Sequence, residues 1–430
     1  MTLAIIGFIS VLGLAFIGVP LGFAMLGVGF VGFAYIRGID PTLAILPQLL
    51  VDSSFTFGLS VIPLFILMGV FIHRAGVSEE LYETAQTWLG QYKGGLAYAT
   101  VAACAMFGMI SGSSLAASAT MSKVAIPQMR QRGYSDSLSS GCVAASGVLG
   151  MLIPPSVPLM IYGLIADQDI RKLFIAVTIP GVLVAISFVI TILAYSFFKS
   201  DSLPKGEQSF TLSEKIASLR GVIYTLLLFV LVIGGMYGGL FTVTEAAGVG
   251  CTGAFFIAIF RGQMNLRGLI VAILDAGKTT GMLFMIIFGA MMFTNFINLS
   301  GFAYLLGEWV TGLGLNIITV LVLIAAIYVV LGCVLETLGL MLLTVPIFLP
   351  IVMEFGVNPI WFGVFLILMV ELGQLTPPVG MNVLTVQAVV RDIPSGKIFR
   401  GVTPFLLANV FVVALIIIFP ELVTYPLNWF

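Results

Sequence analysis

Four short stretches place small hydroxyls, backbone oxygens and a carboxylate inside otherwise apolar sequence: MISGSSLAAS (109–118), IPPSVP (153–158), GCVLETLG (332–339) and QLTPPVG (374–380). Proline lacks an N–H and clashes with the preceding turn. Pro154-Pro155 and Pro377-Pro378 are therefore expected to break their helices and free carbonyls about one turn upstream. Freed carbonyls and hydroxyls are hard donors that suit a small cation such as Na⁺. A half-helix that starts after such a break points its positive N-terminus at whatever fills the gap. The chemistry on offer is ion and anion binding without a covalent step.

Three acids lie within apolar segments, and an ionisable group at membrane depth marks function by default. Glu336 occupies the second glycine-containing tip, where it could orient backbone, bind a cation or carry a proton. Glu371 precedes the second proline pair by about one turn, placed to satisfy freed N–H groups, and Glu245 reads as a helix cap. No Lys or Arg falls at the expected midplane, so an anion would rely on helix N-termini, hydroxyls, co-bound cations or a snorkelling Lys123. His73 reads as a membrane-edge residue, since no Ser, Cys or carboxylate constellation surrounds it. Cys104, Cys142, Cys251 and Cys333 are far apart and read as small buried residues. With no HExxH motif and no GxSxG with a partner histidine, an intramembrane enzyme is disfavoured.

The elements that must hold these stretches are membrane helices. Of the 430 residues, 60% are hydrophobic and only 9% charged, and the mean hydropathy is +1.17. A soluble domain is about 25% charged. The chain is read as all-α and polytopic, in a lipid bilayer, and no basic patch supports a nucleic-acid role. Apolar segments fall at about 3–17, 20–36, 55–73, 95–110, 115–129, 137–166 and 173–198 in one half. In the other they fall at about 220–240, 244–260, 279–297, 316–334, 338–353, 359–390 and 402–420. Stretches 78–90 and 264–278 read as amphipathic surface helices, and 199–220 as a polar loop between halves. MTLAIIGFIS has no basic n-region or small-residue cleavage site and reads as a first helix.

The halves repeat at an offset of about 223 residues: Pro154-Pro155 with Pro377-Pro378, Gly150 with Gly373, Gly133 with Gly356, and Pro127 with Pro350. Ser113-Ser114 fall opposite Glu336-Thr337, Asp169 opposite Asp392 and, after one extra residue, Pro180 opposite Pro404. If 95–110/115–129 and 316–334/338–353 are re-entrant hairpins, each half crosses the membrane five times and the second is inverted. With both termini outside, all of the 18 Lys and Arg except Arg37, Arg171 and Lys172 then fall on the cytoplasmic side. Inverted repeats whose paired broken helices meet at the midplane characterise secondary transporters. A passive channel is a further reading, disfavoured because nothing here resembles a repeated filter.

At these motifs the sequence resembles the large membrane subunit of tripartite ATP-independent periplasmic (TRAP) transporters. The matching stretches are GMISGSS (108–114), IPQMRQRGY (126–134), LIPPSVPLMIYG (152–163), FTVTEAAG (241–248), TVPIFLPIV (344–352), QLTPPVGMNV (374–383) and TPFLL (403–407). The resemblance spans essentially the whole chain. It departs at LET (335–337), where aspartate is more usual than Glu336, and at Ser122-Lys123, where a small residue such as glycine is more typical.

The resemblance implies an elevator-type ion-transporter fold that imports an organic-acid anion with Na⁺ across a bacterial inner membrane. It also implies two partners, a small four-helix membrane subunit and a soluble periplasmic binding protein. The implied divisions are scaffold helices in 1–75, an arm in 76–94, a first transport half in 95–172 and a connecting helix and loop in 173–219. After these come scaffold helices in 220–315 with an arm at 264–278, a second transport half in 316–400 and a C-terminal helix in 401–430. Na⁺, at two or more sites, is implied at Ser111, Gly112, Ser113, Pro154 and Ser156, and at Glu336, Thr337, Thr376, Pro377 and Gly380. Ser114, Ser156 and Asn382 are the expected substrate contacts. A stand-alone Na⁺/dicarboxylate symporter of the same architecture is the alternative.

Overall fold

A computed structural model of the chain describes all residues except 55, 199–203, 205–208 and 430. Much of the polar loop expected between the halves therefore lies outside the described residues. Every regular element described is helical. The first half comprises α1 (Thr2–Phe16), α2 (Leu21–Arg37), α3 (Ile39–Ser54), α4 (Val61–Arg74), α5 (Val77–Leu89), α6 (Gly95–Ser111), α7 (Ser114–Gln131), α8 (Asp136–Gly147), α9 (Leu149–Leu152), α10 (Val157–Ile165) and α11 (Ile170–Phe198). The second comprises α12 (Leu212–Tyr237), α13 (Val243–Phe260), α14 (Leu266–Leu299), α15 (Phe302–Gly312), α16 (Ile317–Gly332), α17 (Thr337–Glu354), α18 (Pro359–Leu375), α19 (Met381–Val389), α20 (Ser395–Ile418) and α21 (Glu421–Thr424). Six of these are at least 18 residues long and apolar enough to cross a membrane. Their outward faces carry large apolar side chains, such as Val182, Ile186 and Ile190 on α11, as contact with lipid requires.

Local sequence explains where the helices stop. Both hairpins form, α6–α7 around Gly112 and α16–α17 around Cys333–Glu336. Both proline pairs interrupt their helices, α9–α10 at Ile153–Ser156 and α18–α19 at Thr376–Gly380, and both Pro–Pro peptides are cis. The first broken helix bends by 42°, and α4 turns by 68° into α5, where Gly76 takes a left-handed φ of 74°.

At the offset of the proline pairs, α1, α2, α5, α11 and the first hairpin fall on α12, α13, α15, α20 and the second hairpin. Packing is exchanged across this repeat: α2 lies on α14, while its mate α13 lies on α4. The two halves are thus interleaved rather than set side by side.

Three elements differ from the sequence expectation. The stretch 264–278 is not a separate surface helix but the start of α14, a continuous helix of 34 residues. Asn265 caps it, accepting a hydrogen bond from Gly268 N–H at 2.7 Å, and no proline interrupts it. At 1.5 Å per residue it reaches about 50 Å, longer than the hydrocarbon layer, so its polar start projects beyond the bilayer. Helix α15, the repeat mate of α5, and α3, the mate of the start of α14, were not read as elements. Helix α15 is short, and α3 carries Asp40, Pro41 and Pro47, which dilute the apolar signal.

Charged side chains expected on one face do meet. Arg130 after the first hairpin pairs with Asp136 at 2.8 Å and with Asp392, from the second half, at 2.7 Å. The Arg130 guanidinium holds the Asp392 carboxyl below the usual carboxylate range. Lys397 adds a contact to Asp136 at 3.7 Å. These residues share one end of the molecule, as the odd crossing number per half requires.

Helices α2 and α14 approach as closely as backbones allow. A Cβ on Gly289 would stand 2.0 Å from the Gly22 carbonyl oxygen, and one on Gly22 would stand 2.7 Å from that of Met285. Small residues at membrane helix crossings permit dispersion contacts that larger side chains would block. Gly289→Ala should therefore lower the melting temperature of detergent-solubilised protein, with overpacking costing about 1–3 kcal/mol. Gly281→Ala on the same helix, where nothing stands within 4 Å, should leave it unchanged or slightly raised. Equal melting temperatures for the two variants would refute the close-packed pairing.

Candidate functional site

Each hairpin tip sits directly on the helix break of its own half. Gly112 ends α6 in the left-handed region at φ 58°, and Ser113 then runs extended as the N-cap of α7, its Oγ accepting from Ala116 N–H at 3.4 Å. A Cβ on Gly112 would meet the Pro155 carbonyl oxygen at 3.0 Å, so only glycine combines that φ with that approach. Beside it, a Cβ on Gly150 would stand 3.0 Å from the Ser113 carbonyl oxygen. Ser156 caps α10 by accepting from Leu159 N–H at 3.4 Å. The second half repeats the arrangement: Gly380 N–H donates to the Cys333 carbonyl at 3.1 Å, joining break to tip. Thr376 caps the end of α18 and donates its hydroxyl to the Leu372 carbonyl at 2.6 Å.

A buried polar chain then ties the halves together. Ser114 Oγ donates to Gln374 Oε1 at 2.9 Å, and Gln374 Nε2 donates to Thr337 Oγ1. Thr337 Oγ1 in turn contacts Met151 Sδ at 3.5 Å. The chain follows the repeat: Thr337 is the mate of Ser114 and Gln374 the mate of Met151. Each tip hydroxyl therefore touches the broken helix of the opposite half. Ser114, Thr337 and Gln374 are all buried. Gln374 was not singled out from sequence, although its place in QLTPPVG and its register with Met151 were visible there.

The tips open into a cavity of about 680 Å³. Of the residues expected at the site, Ser111, Gly112, Ser113, Ser114, Glu336 and Thr337 line it. Ser111 Oγ donates to the Ser113 carbonyl at 3.4 Å, so hydroxyl and carbonyl oxygens are gathered at the first tip. Glu336 is the N-cap of α17, and its side chain makes no capping hydrogen bond. The opposite wall comes from α4 and α14, including Gly69, His73, Arg74, Asp275 and Thr279.

The other expected residues lie elsewhere. Pro154 and Ser156 are buried in the first break, Gly380 is buried behind the second, and Pro377 is exposed. Asn382 is fully buried and its Nδ2 donates to the Ala144 carbonyl at 3.4 Å, away from the cavity lining. Glu371 does not satisfy freed N–H groups as expected: it is fully buried and neither carboxyl oxygen has a hydrogen-bond partner. Glu245 is the cap it was read as, accepting from Thr242 N–H at 2.8 Å. Lys123 is exposed and outside the cavity wall. A second cavity of about 460 Å³ lies between α10, α17 and α14. It is mainly apolar and none of the tip residues reaches it.

Comparison with known proteins bears on the family and the fold. Residues 8–422 match the family model of the tripartite ATP-independent periplasmic transporter DctM component. The chain is 36% identical to a C4-dicarboxylate TRAP transporter large permease of Pseudomonas aeruginosa, over 87% of this chain and 86% of that one. It is 33% identical to a sialic acid TRAP transporter large permease of Vibrio cholerae, over 95% of each. A solved structure, the YdaH transporter of Alcanivorax borkumensis, shares the fold at a TM-score of 0.64 with 17% identity, covering 89% of this chain and 90% of that one. The chain is a multi-pass membrane transport permease, not an enzyme, and belongs to the tripartite ATP-independent periplasmic transporter family as its large, DctM-type component.

Proposed function

We propose that the chain imports a small organic-acid anion together with Na⁺ across a bacterial inner membrane, both termini facing the periplasm. The observation that carries this reading is the convergence of both hairpin tips, linked through Gln374, on one cavity at the face of α4 and α14. Related permeases are named for C4-dicarboxylate, sialic acid, 2,3-diketo-L-gulonate and isethionate. All four are small organic acids, which supports that class for the substrate proposed here.

Two or more Na⁺ ions bind at the tip–break junctions, where hydroxyls and carbonyls face each other. Ser111, Gly112, Ser113, Pro154 and Ser156 serve one half, and Glu336, Thr337, Thr376, Pro377 and Gly380 the other. The anion lies over the tips at Ser114, within reach of the N-termini of α7 and α17. Ser156 and Asn382, the other substrate contacts, would need to be uncovered from their buried positions first. Hairpins and broken helices move as a block against α4 and α14, in an elevator motion. The cavity at the tips adjoins Arg74 and Asp275, on the face assigned to the cytoplasm, so the conformation is read as inward-facing. A small four-helix membrane subunit braces the scaffold, and a periplasmic binding protein delivers substrate.

The test is uptake of labelled succinate, N-acetylneuraminate, 2,3-diketogulonate and isethionate into proteoliposomes holding this chain and its small partner. Uptake of one of them should need both an inward Na⁺ gradient and the binding protein. Na⁺-driven uptake indifferent to the binding protein would replace this reading with the stand-alone symporter. Flux without Na⁺ dependence would remove the cation sites.

Gln374→Met tests the link between the tips. It keeps the volume but leaves the Ser114 hydroxyl without its acceptor and Thr337 without its donor. Leaving buried groups unpaired costs about 1–3 kcal/mol, so half-saturating Na⁺ should rise roughly tenfold. The Na⁺ Hill coefficient should also fall toward one. An unchanged Na⁺ dependence would show that the chain is merely structural.

A further inference from the structure

We infer that Arg74, on the static wall of the cavity, is a second anchor for the anion, receiving its carboxylate or sulfonate as it leaves the hairpin tips. The inference rests on the transport reading and adds to it a residue that the tip–break geometry does not supply.

Position is the first ground. Helix α4 touches the first tip at Gly69, where a Cβ would stand 3.1 Å from the Ile110 carbonyl oxygen and 3.5 Å from Ser111 Cα. Arg74 lies five residues further along the same helix, about 7.5 Å at 1.5 Å per residue. Helical side chains lean toward the N-terminus, which for Arg74 is toward the tip. A small organic acid at the tips is therefore within reach of a guanidinium on the wall.

Chemistry is the second. Arg74 Nη2 donates to Asp275 Oδ2 at 2.7 Å, and both side chains line the cavity partly exposed, at 30% and 47%. A guanidinium carries five N–H donors in a fork that matches a carboxylate. The Asp275 contact occupies one nitrogen, leaving donors for a second anion. Asp275 also offsets the charge, so Arg74 presents directed hydrogen bonds without the net attraction that would trap the anion. Glu336, across the cavity, adds a further acid and no cation. Of the groups lining the cavity, Arg74 is the permanent cation. Lys123 lies outside the lining. The bland account of the pair is a brace between α4 and α14, and the test separates the two.

Phenylglyoxal modification of Arg74 would be followed by peptide mass mapping on the full chain with its small partner. The probe is whichever of the four anions is taken up, tested with Na⁺ and with potassium in its place. The expected results are protection of Arg74 by that anion only when Na⁺ is present, and faster modification in Asp275→Asn. Arg74→Lys should raise KM about tenfold or more while melting temperature holds, because the charge remains but the fork is lost. Asp275→Asn should keep KM or lower it. A brace predicts the reverse: both variants lower the melting temperature together, the anion does not protect Arg74, and Arg74→Lys leaves KM unchanged. Na⁺-driven uptake without protection would sink this inference alone. Absence of uptake for all four anions in folded protein would sink the transport reading and this inference with it.

Discussion

Backbone that leaves the helical path at membrane depth must be covered by protein, because lipid offers no partner for a free N–H or C=O. This constraint organises the whole molecule. The chain breaks its helices at two proline pairs and turns back at two tips, then lays each tip over its own break. Gly112 against Pro155 and Gly380 N–H on the Cys333 carbonyl are the contacts that make the irregular segments tolerable. The same contacts gather oxygens into one place. Covering the backbone and building a polar site are therefore one structural act.

The repeat determines how the two covered junctions communicate. Were the halves side by side, each tip would meet only its own break. Instead α2 packs on α14 and α13 on α4, and the tip hydroxyls Ser114 and Thr337 reach helices of the opposite half. The symmetry is broken at one point that matters. Gln374 has an amide that donates and accepts, whereas its mate Met151 offers only a weak acceptor sulfur. The strong hydrogen bonds thus converge on the second break. Asymmetry of this kind gives two related junctions different chemistry within a single ancestral plan.

Much of this was legible in the sequence, for identifiable reasons. Proline and glycine act locally, so the breaks and the α6–α7 and α16–α17 turns fell within a few residues of their observed places. Positive charge is set by topology, and Arg130 meets Asp392 as the inverted arrangement demands. Less local features were hidden. The continuity of α14 depends on the absence of a breaker at a polarity change near Lys278, which reads on a hydropathy scale as a boundary. Helix α15 was recoverable from its register with α5, but its composition alone did not announce it. Gln374 is an ordinary polar residue in a motif dominated by its prolines, and only the fold shows that its amide spans two tips. Asn382 has the right chemistry for a substrate contact, yet helix phase turns it toward Ala144.

The fixed charges of the cavity bear on why an anion would travel with cations. The walls bring Arg74 together with Asp275 and Glu336, and the arginine is already paired at 2.7 Å. An organic acid entering alone would meet helix N-termini worth a fraction of a charge each, set against carboxylates at both ends of the cavity. Under the proposed Na⁺ coupling, small cations at the tip–break junctions would reverse that balance close to the anion, where a low dielectric magnifies their effect. Most of the oxygens proposed to bind them are backbone carbonyls and hydroxyls, which add no net charge of their own, and Glu336 is the carboxylate among them. Under the proposed coupling, the scarcity of basic residues at the tips would be functional. A lysine there would hold the anion without Na⁺ and uncouple the two, whereas a cage without a fixed cation would make the proposed anion site depend on the cations being present.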